Sequence, residues 1–461
     1  MQLRILTVIL CACVLGQSAA ANAPDRSLRP VARPSFSGDL QLASAASTEL
    51  VRPVLRPTAN MAASPKPTLV AGNLGFQSWI EGFRARAQIA GIQPAVFDRA
   101  FQDIQYNTGV IQKDRNQSEF TKTIWDYLDS AASDARINNG KAALQKHQQK
   151  LEDIERRFGV EKEVIVAVWG LESAYGTYRG DTPVIEALAT LAYDGRRGEF
   201  FETQLLAALE ILQSGDTTTT NMTGSWAGAM GHTQFIPTSY LNFAVDFTGD
   251  GKRDIWSNDP SDALASTAAY LAKSGWKTGK PWGVEVILPN GFDYQEANRE
   301  IIKSPSKWAS LGVKATNGQP VPNSYGNGSI LLPAGSQGAA FMIFSNFDAI
   351  EHYNTADAYV IGVGHLSDRI SGGPKIQSDW PRGDRALTQK ERLELQRRLT
   401  DVGFNTQKID GKIGPLTINA VRDYQVTNSL TPDGYASLTL LKRLRKERGS
   451  SPSAVGTQDY N

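Results

Sequence analysis

The chain has 461 residues, 41% hydrophobic and 21% charged, a composition typical of soluble globular proteins of two or three domains. A formal net charge of +1 argues against a nucleic-acid partner, because general nucleic-acid binders are basic overall or along one face. Both cysteines, Cys11 and Cys13, lie near the N-terminus. The rest of the chain must therefore be stabilised by a packed core, without disulfides or thiol chemistry.

Residues 1–23 have the pattern of a secretory signal peptide. Arg4 supplies a positive start, residues 5–15 an apolar core, and SAAANA a small-residue cleavage site. The apolar run is shorter than the roughly 20 residues that span a bilayer. We therefore expect an exported protein. Lipidation at Cys13 is the alternative, but the apolar run continues past it, which favours a soluble form.

The next segment, residues 24–70, is rich in Pro, Ala, Ser and Arg and is predicted to be a disordered leader. Helical spacing begins near Phe76. A long helical pattern over residues 121–159 is expected to break at the NNG of 138–140, and a later one to end at Gly215, a typical helix stop.

From about residue 281 to 345, alternating apolar residues and turn residues favour a few strands. The composition of 371–386 indicates a linker, 387–446 a small helical unit, and 447–461 a polar tail. The sequence therefore predicts a mainly α protein, in which a domain of residues 71–370 carries a small β-containing insertion.

One acid stands at the end of the most apolar helical stretch. Residues 161–171 are apolar nearly all round, which predicts a buried helix, and Glu172 follows at its C-terminal end. The helix dipole and desolvation both disfavour a negative charge there. A glutamic acid held protonated near neutral pH can act as a general acid. The alternative is a structural acid bonded to the backbone at a helix end.

A second unusual stretch is GSWAGAMGHTQFIPTSY, residues 224–240. Its glycines permit close approach of the backbone to a ligand. Ser225, Gln234 and Tyr240 offer hydrogen bonds, and Trp226 offers an aromatic face. This mixture is typical of a sugar-binding cleft, and a packed glycine-rich loop is the alternative.

Three stretches, beginning at ESAYGTYRGD, GSWAGAMGHT and DFTGDGKRD, together resemble the lytic murein transglycosylase B family over roughly residues 73–370. The resemblance implies a lysozyme-like helical catalytic domain. It also implies cleavage of the β-1,4 bond between N-acetylmuramic acid and N-acetylglucosamine in peptidoglycan, in the periplasm. The implied partners are glycan strands and other cell-wall enzymes.

In this resemblance Glu172 matches the single catalytic acid. It would protonate the glycosidic oxygen and then accept the proton of the muramic acid's C6 hydroxyl, which closes a 1,6-anhydro ring. No cofactor is implied for the chemistry. His232 is expected to be a bystander. The implied glycan-binding residues are Ser225, Gln234, Tyr127, Arg196, Arg197, Tyr270 and Asn346.

Ordinary glycosidases use two carboxylates. Candidate second acids are Asp181, Glu186 and Asp194, of which Asp181 is expected to cap the helix that starts near Pro183. A hydrolytic muramidase is therefore the first alternative function. A wall-binding protein without activity is the second.

The stretch DFTGDGKRDIWS fits the start of an EF-hand-like calcium loop. Position six is Gly251, and position twelve is Ser257 in place of the usual glutamate. The resemblance implies that Asp262 supplies the missing ligand. A structural Ca²⁺, or more weakly Na⁺, would be held, and a glycine turn with solvated acids is the alternative. The predicted ligands are Asp246, Thr248, Asp250, the carbonyl of Lys252, and Asp262.

The stretch DGKIGPLTINAVRDYQ has a turn at Asp410-Gly411 and a proline, Pro415, suited to a first helical position. Residues 387–446 resemble a peptidoglycan-binding-like domain of three short helices, which implies attachment to the wall. The expected core stripe is Leu416, Ala420, Val421 and Tyr424.

Overall fold

The computed structural model describes residues 72–115 and 122–447. The predicted signal peptide, the leader, both cysteines and all but the first residue of the tail lie outside these ranges. The described part is mainly helical with two small antiparallel sheets, as the sequence predicts. Over the same ranges, every helix is too short or too polar to cross a membrane.

Within the described ranges the large domain has fourteen α-helices, and all of them except α12 contribute to one hydrophobic core. Its helices are α1 Gly72–Ile89, α2 Pro94–Phe101, α3 Thr108–Arg115, α4 Ile124–Ala131, α5 Asp134–Lys146, α6 Gln148–Phe158, α7 Lys162–Ser173, α8 Val184–Asp194, α9 Gly198–Ser214, α10 Pro237–Phe243, α11 Ser261–Lys273, α12 Pro305–Ser310, α13 Ser345–Tyr353 and α14 Asp357–Ile370.

Gly140 does not end a helix, contrary to the expected break at NNG. It lies inside α5. The helical pattern is interrupted earlier, at Ala132, and Ser133 caps the helix that follows. A Cβ at position 140 would lie 2.5 Å from Cδ1 of Ile370 and 2.7 Å from the hydroxyl of Tyr175. The lack of a side chain at Gly140 therefore lets α5 pack closely against Ile370 and Tyr175, which the local sequence does not reveal.

The strands form two sheets. In the first, β1 Thr182–Pro183 pairs antiparallel with β2 Thr223–Gly224. The second is the β insertion, residues 283–343, with strand order β4-β3-β6-β5 and its own small core. Its strands are β3 Gly283–Ile287, β4 Lys314–Ala315, β5 Ser329–Leu331 and β6 Ala340–Ile343.

The small domain has three helices: α15 Gln389–Asp401, α16 Pro415–Thr427 and α17 Leu438–Lys446. Pro415 opens α16 as predicted, and Val421 and Tyr424 are buried. Leu416 was wrongly expected in the core: it is exposed, and Thr417 points inward. The buried residues of α16 are Thr417, Ala420, Val421 and Tyr424. Their spacing of three or four residues places position 417, and not 416, on the inner face of the helix.

The predicted linker, 371–386, lies against the large domain. The carboxylate of Glu285 accepts two backbone N–H bonds from residues 377 and 378. Arg382 forms a two-bonded ion pair with Asp129, and Trp380 packs near Trp125. The connection between the domains is therefore held in place along its length.

The small domain also contacts the β insertion directly. One oxygen of Asp433 accepts bonds from the backbone N–H and the hydroxyl of Ser336, each 2.9 Å long. Arg422 donates to the carbonyl of Ala297 at 2.9 Å. These bonds fix the small domain on the side of the insertion.

Candidate active site

The acid singled out by the sequence lies in the last turn of α7, a helix that is buried along most of its length. Glu172 itself is 7% exposed. The hydroxyl of Tyr359, on α14, donates to Oε1 of Glu172 at 2.9 Å. The carboxyl group is thus oriented by a residue 187 positions away in the chain.

The helix stops after Glu172 because the chain turns into the left-handed region. Ala174 and Tyr175 have φ of 48° and 60°, and Gly176 follows at 84°. This conformation costs roughly 1–2 kcal/mol for a residue with a side chain. The Tyr175 ring lies over Gly170, and its hydroxyl donates to the carbonyl of Arg136 at 2.7 Å. Packing of this tyrosine therefore holds the turn that follows the acid.

His232, which was expected to be a bystander in the chemistry, is a structural link. Its backbone carbonyl accepts a 2.5 Å bond from Ser173, next to the acid. Nδ1 accepts from the indole of Trp169, and Nε2 lies 2.7 Å from the carbonyl of Ser257. Burial lowers the pKa of His232, which favours the neutral ring that these partners require. Through these bonds His232 connects α7 to the loop that follows residue 254.

Tyr127, on α4, is brought near the acid. Burial first, and then the negative charge of Glu172, raise the pKa of the Tyr127 phenol, while Arg136 lowers it. The phenol therefore stays protonated and can donate a hydrogen bond in this part of the site. Its ring packs against Gly362, where a Cβ would lie 2.9 Å from Cε1.

The glycine-rich stretch folds against the segment that follows the acid. Gln234 has φ of 56°, is almost fully buried, and donates from Nε2 to the carbonyls of Arg179 and Gly231. Among the described atoms its Oε1 has no hydrogen-bond partner. Ser225 accepts two backbone N–H bonds within its own loop, and a Cβ on Gly180 would lie 2.7 Å from its nitrogen.

A polar cavity of about 580 Å³ opens beside Arg179 and Gly180. Threonines of residues 217–223 and the segment 252–258 line its other walls. The indole N–H of Trp256, one of its lining residues, is buried with no partner among the described atoms. Glu172 does not line this cavity. The cavity therefore neighbours the turn that follows Glu172 and is not the reaction centre itself.

Two predicted glycan contacts are core residues. Asn346 is fully buried, and its amide bonds the N–H of Lys277 and the carbonyls of Lys277 and Lys280. Tyr270 is 3% exposed, donates to the carbonyl of His352 and stacks on Phe243. Neither side chain can meet a ligand at the surface, so both assignments are wrong in this structure.

The arginine pair lies just before α9. Arg196 donates to the buried carboxylate of Asp114, and Arg197 approaches the same carboxylate and lies over the ring of Phe201. The Asp114 carboxylate therefore lies close to two positively charged guanidinium groups. Their contact with a glycan stays a prediction.

The alternative acids have other partners. Glu186 accepts from the side chain of Asn107 at 2.7 Å, and Asp194 pairs with Arg115 at 2.7 Å. Asp181 is not the helix cap that was expected, because α8 is preceded by Pro183 and has no side-chain cap.

Residues 75–368 match the family model described as a transglycosylase SLT domain, which covers more than half of the chain. This chain belongs to the transglycosylase SLT domain family. Residues 388–444 match the model described as a putative peptidoglycan binding domain. The limits drawn from the sequence, 71–370 and 387–446, stay predictions.

Known relatives agree with this assignment. Membrane-bound lytic murein transglycosylase B of Escherichia coli K12 is 33% identical over 241 residues, which are 51% of this chain and 64% of that relative. SltB3 of Pseudomonas aeruginosa, solved with NAG-anhNAM-pentapeptide, is 48% identical with a TM-score of 0.78, covering 80% of this chain and 99% of its own. The predicted family and the fold class are confirmed.

The predicted metal loop of the SLT domain brings acids together. One oxygen each of Asp246, Asp250 and Asp262 lies within 4.8 Å of the others. Asp262 is buried, which raises its pKa, although backbone N–H groups of Phe247 and Thr248 lower it. Three carboxylates this close fit a hard divalent cation.

The remaining features of the loop agree with this donor set. The carbonyl of Ser257, at position twelve, lies 2.7 Å from Arg179 and from the imidazole of His232, so the residue is engaged away from the loop. The backbone N–H of Lys252 donates to Asp250, and its carbonyl stays a predicted ligand. Slt35 of Escherichia coli, solved with calcium, is 29% identical with a TM-score of 0.54, covering 65% of this chain and 94% of its own.

Proposed function

We propose that this protein is a lytic transglycosylase that cleaves the β-1,4 bond between N-acetylmuramic acid and N-acetylglucosamine in peptidoglycan and leaves 1,6-anhydro ends. The observation that carries the proposal is the buried carboxyl group of Glu172, oriented by the hydroxyl of Tyr359. The complex of SltB3 with an anhydro-sugar ligand, NAG-anhNAM-pentapeptide, supports it.

In the first step, Glu172 donates its proton to the glycosidic oxygen as the bond to the anomeric carbon breaks. The N-acetylglucosamine leaves with that proton as a free hydroxyl. The Tyr359 bond holds one oxygen in place, so the carboxyl group presents a constant direction to the sugar.

In the second step, the carboxylate of Glu172 accepts the proton of the C6 hydroxyl on the same muramic acid. The C6 oxygen attacks the anomeric carbon and closes the anhydro ring. The proton given equals the proton taken, so one residue completes the cycle. The engagement of Glu186 with Asn107 and of Asp194 with Arg115 supports a scheme with one acid.

The products distinguish this function from a muramidase. We expect mass spectrometry of digested sacculi to find muramic acid ends lighter by one water molecule than reducing ends, since the internal hydroxyl replaces water as nucleophile. A parallel digest with a hydrolytic lysozyme supplies the reducing ends for comparison. Reducing ends from this protein would identify a muramidase and reject the transglycosylase step.

We further propose that the protein acts in the periplasm and that the small domain attaches it to the wall. The signal-peptide pattern of residues 1–23 supports export. The match of 388–444 to a peptidoglycan-binding model supports attachment, which raises the local concentration of glycan near the large domain. Other cell-wall enzymes are candidate partners.

We propose that the loop of residues 246–257, together with Asp262, holds a structural calcium ion. At calcium 100-fold above Kd, the stabilisation would be about 2.7 kcal/mol, which raises Tm by roughly 5 °C for a domain of this size. We expect this shift for the wild type and not for Asp246→Asn plus Asp250→Asn. Scanning calorimetry with and without calcium measures it.

Two carboxylates removed elsewhere provide the control for this measurement. Asp98→Asn plus Asp129→Asn changes net charge equally but lies outside the loop. This control should keep the calcium shift. Equal shifts in the loop variant and the wild type would show that calcium binds somewhere else or nowhere specific.

A further inference from the structure

An ion-pair cluster outside the reaction centre joins the β insertion to the corner between α13 and α14. Arg299 lies in the insertion, ahead of α12. Its guanidinium donates to both oxygens of Glu351, each at 2.9 Å, and to Asp357 at 3.2 Å. Glu351 stands in the last turn of α13, and Asp357 is the first residue of α14. One guanidinium thus bridges both sides of the turn at 354–356.

The same corner carries groups that face the acid. Tyr359, in the first turn of α14, donates to Glu172, and Tyr353, the last residue of α13, donates to the carbonyl of Thr233 at 2.6 Å. Their rings are parallel within 5°, with centroids 6.5 Å apart. The place of the Tyr359 hydroxyl therefore depends on how the two helices meet.

Without Arg299 the corner would hold like charges close together. Glu351 is 7% exposed, and Asp348 also lies within 3.6 Å of the guanidinium. Burial raises the pKa of Asp357, Arg299 lowers it, and Glu351 raises it. Removing one partner of a mostly buried pair leaves uncompensated charge, which favours opening of the corner. Arg299 also covers the ring of Phe347, at 4.9 Å.

We propose that Arg299 is a positioning residue for the reaction: it holds the corner between α13 and α14 in the geometry that places the Tyr359 hydroxyl on Glu172. This inference rests on the proposed role of Glu172 as the acid. The β insertion thereby contributes to catalysis through the ion pairs of Arg299 with Glu351 and Asp357 at the corner.

A double-mutant cycle tests the inference. With a soluble peptidoglycan oligosaccharide as substrate, Arg299→Ala and Tyr359→Phe should each lower kcat about tenfold, the effect of one hydrogen bond to a charged group. KM should change less than about twofold if Arg299 acts only through the corner, because its guanidinium is already bonded to Glu351 and Asp357. If Arg299 acts through Tyr359, the double variant should lose about tenfold and not about a hundredfold.

Two further variants separate positioning from simple loss of stability. Arg299→Lys keeps the charge but cannot bond both oxygens of Glu351 at once, so kcat should recover only in part. If Arg299→Ala fails to fold, Arg299→Lys replaces it in the double-mutant cycle. The matched control is Arg86→Ala, which removes a two-bonded pair with Glu202 between α1 and α9. It should lower Tm while kcat stays unchanged.

Losses of Arg299→Ala and Tyr359→Phe that multiply in the double variant would overturn the inference, and so would a fall in kcat for Arg86→Ala as large as for Arg299→Ala. These outcomes leave the proposed function intact as long as the wild type cleaves the substrate. A wild type that releases no product would instead reject the proposed function.

Discussion

Replacing Glu172 by glutamine should lower kcat for glycan cleavage by about 10⁴-fold, the upper range for loss of a general acid or base. Glutamine keeps the size of the side chain and can still accept a bond from Tyr359, so the site should stay folded. It has no acidic proton to give to the leaving oxygen and no basic oxygen to receive the C6 proton. Release of soluble fragments from sacculi measures the loss.

Glu186→Gln is the matched control for this variant, because it makes the same change at a partly buried glutamate of α8, the next helix along the chain, whose carboxylate accepts a bond from Asn107. It should keep activity within a few fold. Unaltered calorimetric Tm for Glu172→Gln would exclude unfolding as the cause. Full lysis by Glu172→Gln, or an equal loss in both variants, would contradict the role of Glu172.

Gly170→Ala should destabilise the large domain by about 2 kcal/mol, a typical cost of overpacking a core. A Cβ there would lie 2.6 Å from Cζ and from the hydroxyl of Tyr175. The ring cannot retreat easily, because its hydroxyl is bonded to the carbonyl of Arg136 and its backbone is already left-handed. The turn beside Glu172 should shift as well, so that kcat falls together with Tm.

Gly82→Ala makes the matched comparison for this variant. Gly82 is also a helical glycine, exposed in α1, and a Cβ there would meet only the side chain of Arg86, at 3.7 Å. Since alanine is the better helix former by roughly 1 kcal/mol, this variant should be as stable as the wild type or more stable. Calorimetry that shows equal Tm changes in the two variants would refute the packing argument.

The features that local sequence predicts well are those that local physics determines. The acid at the end of an apolar helix, the helix stop at Gly215 and the first turn at Pro415 each depend on neighbours within a few residues. The spacing of Asp246 and Asp250 likewise depends on one short loop. Such patterns recur wherever the same backbone conformation is needed.

The predictions that failed concern which side chains meet at long range. Asn346 and Tyr270 look like ligand-binding types, yet packing buries both and satisfies their polar groups within the protein. Gly140 looks like a helix break but makes room for Ile370. Residue type and spacing do not report burial when the covering element lies far along the chain.

By itself, the sequence determined the family and the mainly helical fold class and pointed to Glu172 as the candidate acid, because these follow from short patterns and their spacing. Only the tertiary structure decided that Tyr359 orients Glu172, that His232 ties the acid's helix to a distant loop, and that Arg299 closes the corner behind Tyr359. The physical reason is that hydrogen bonds and ion pairs form between atoms that the fold brings within about 3 Å, whatever their separation along the chain.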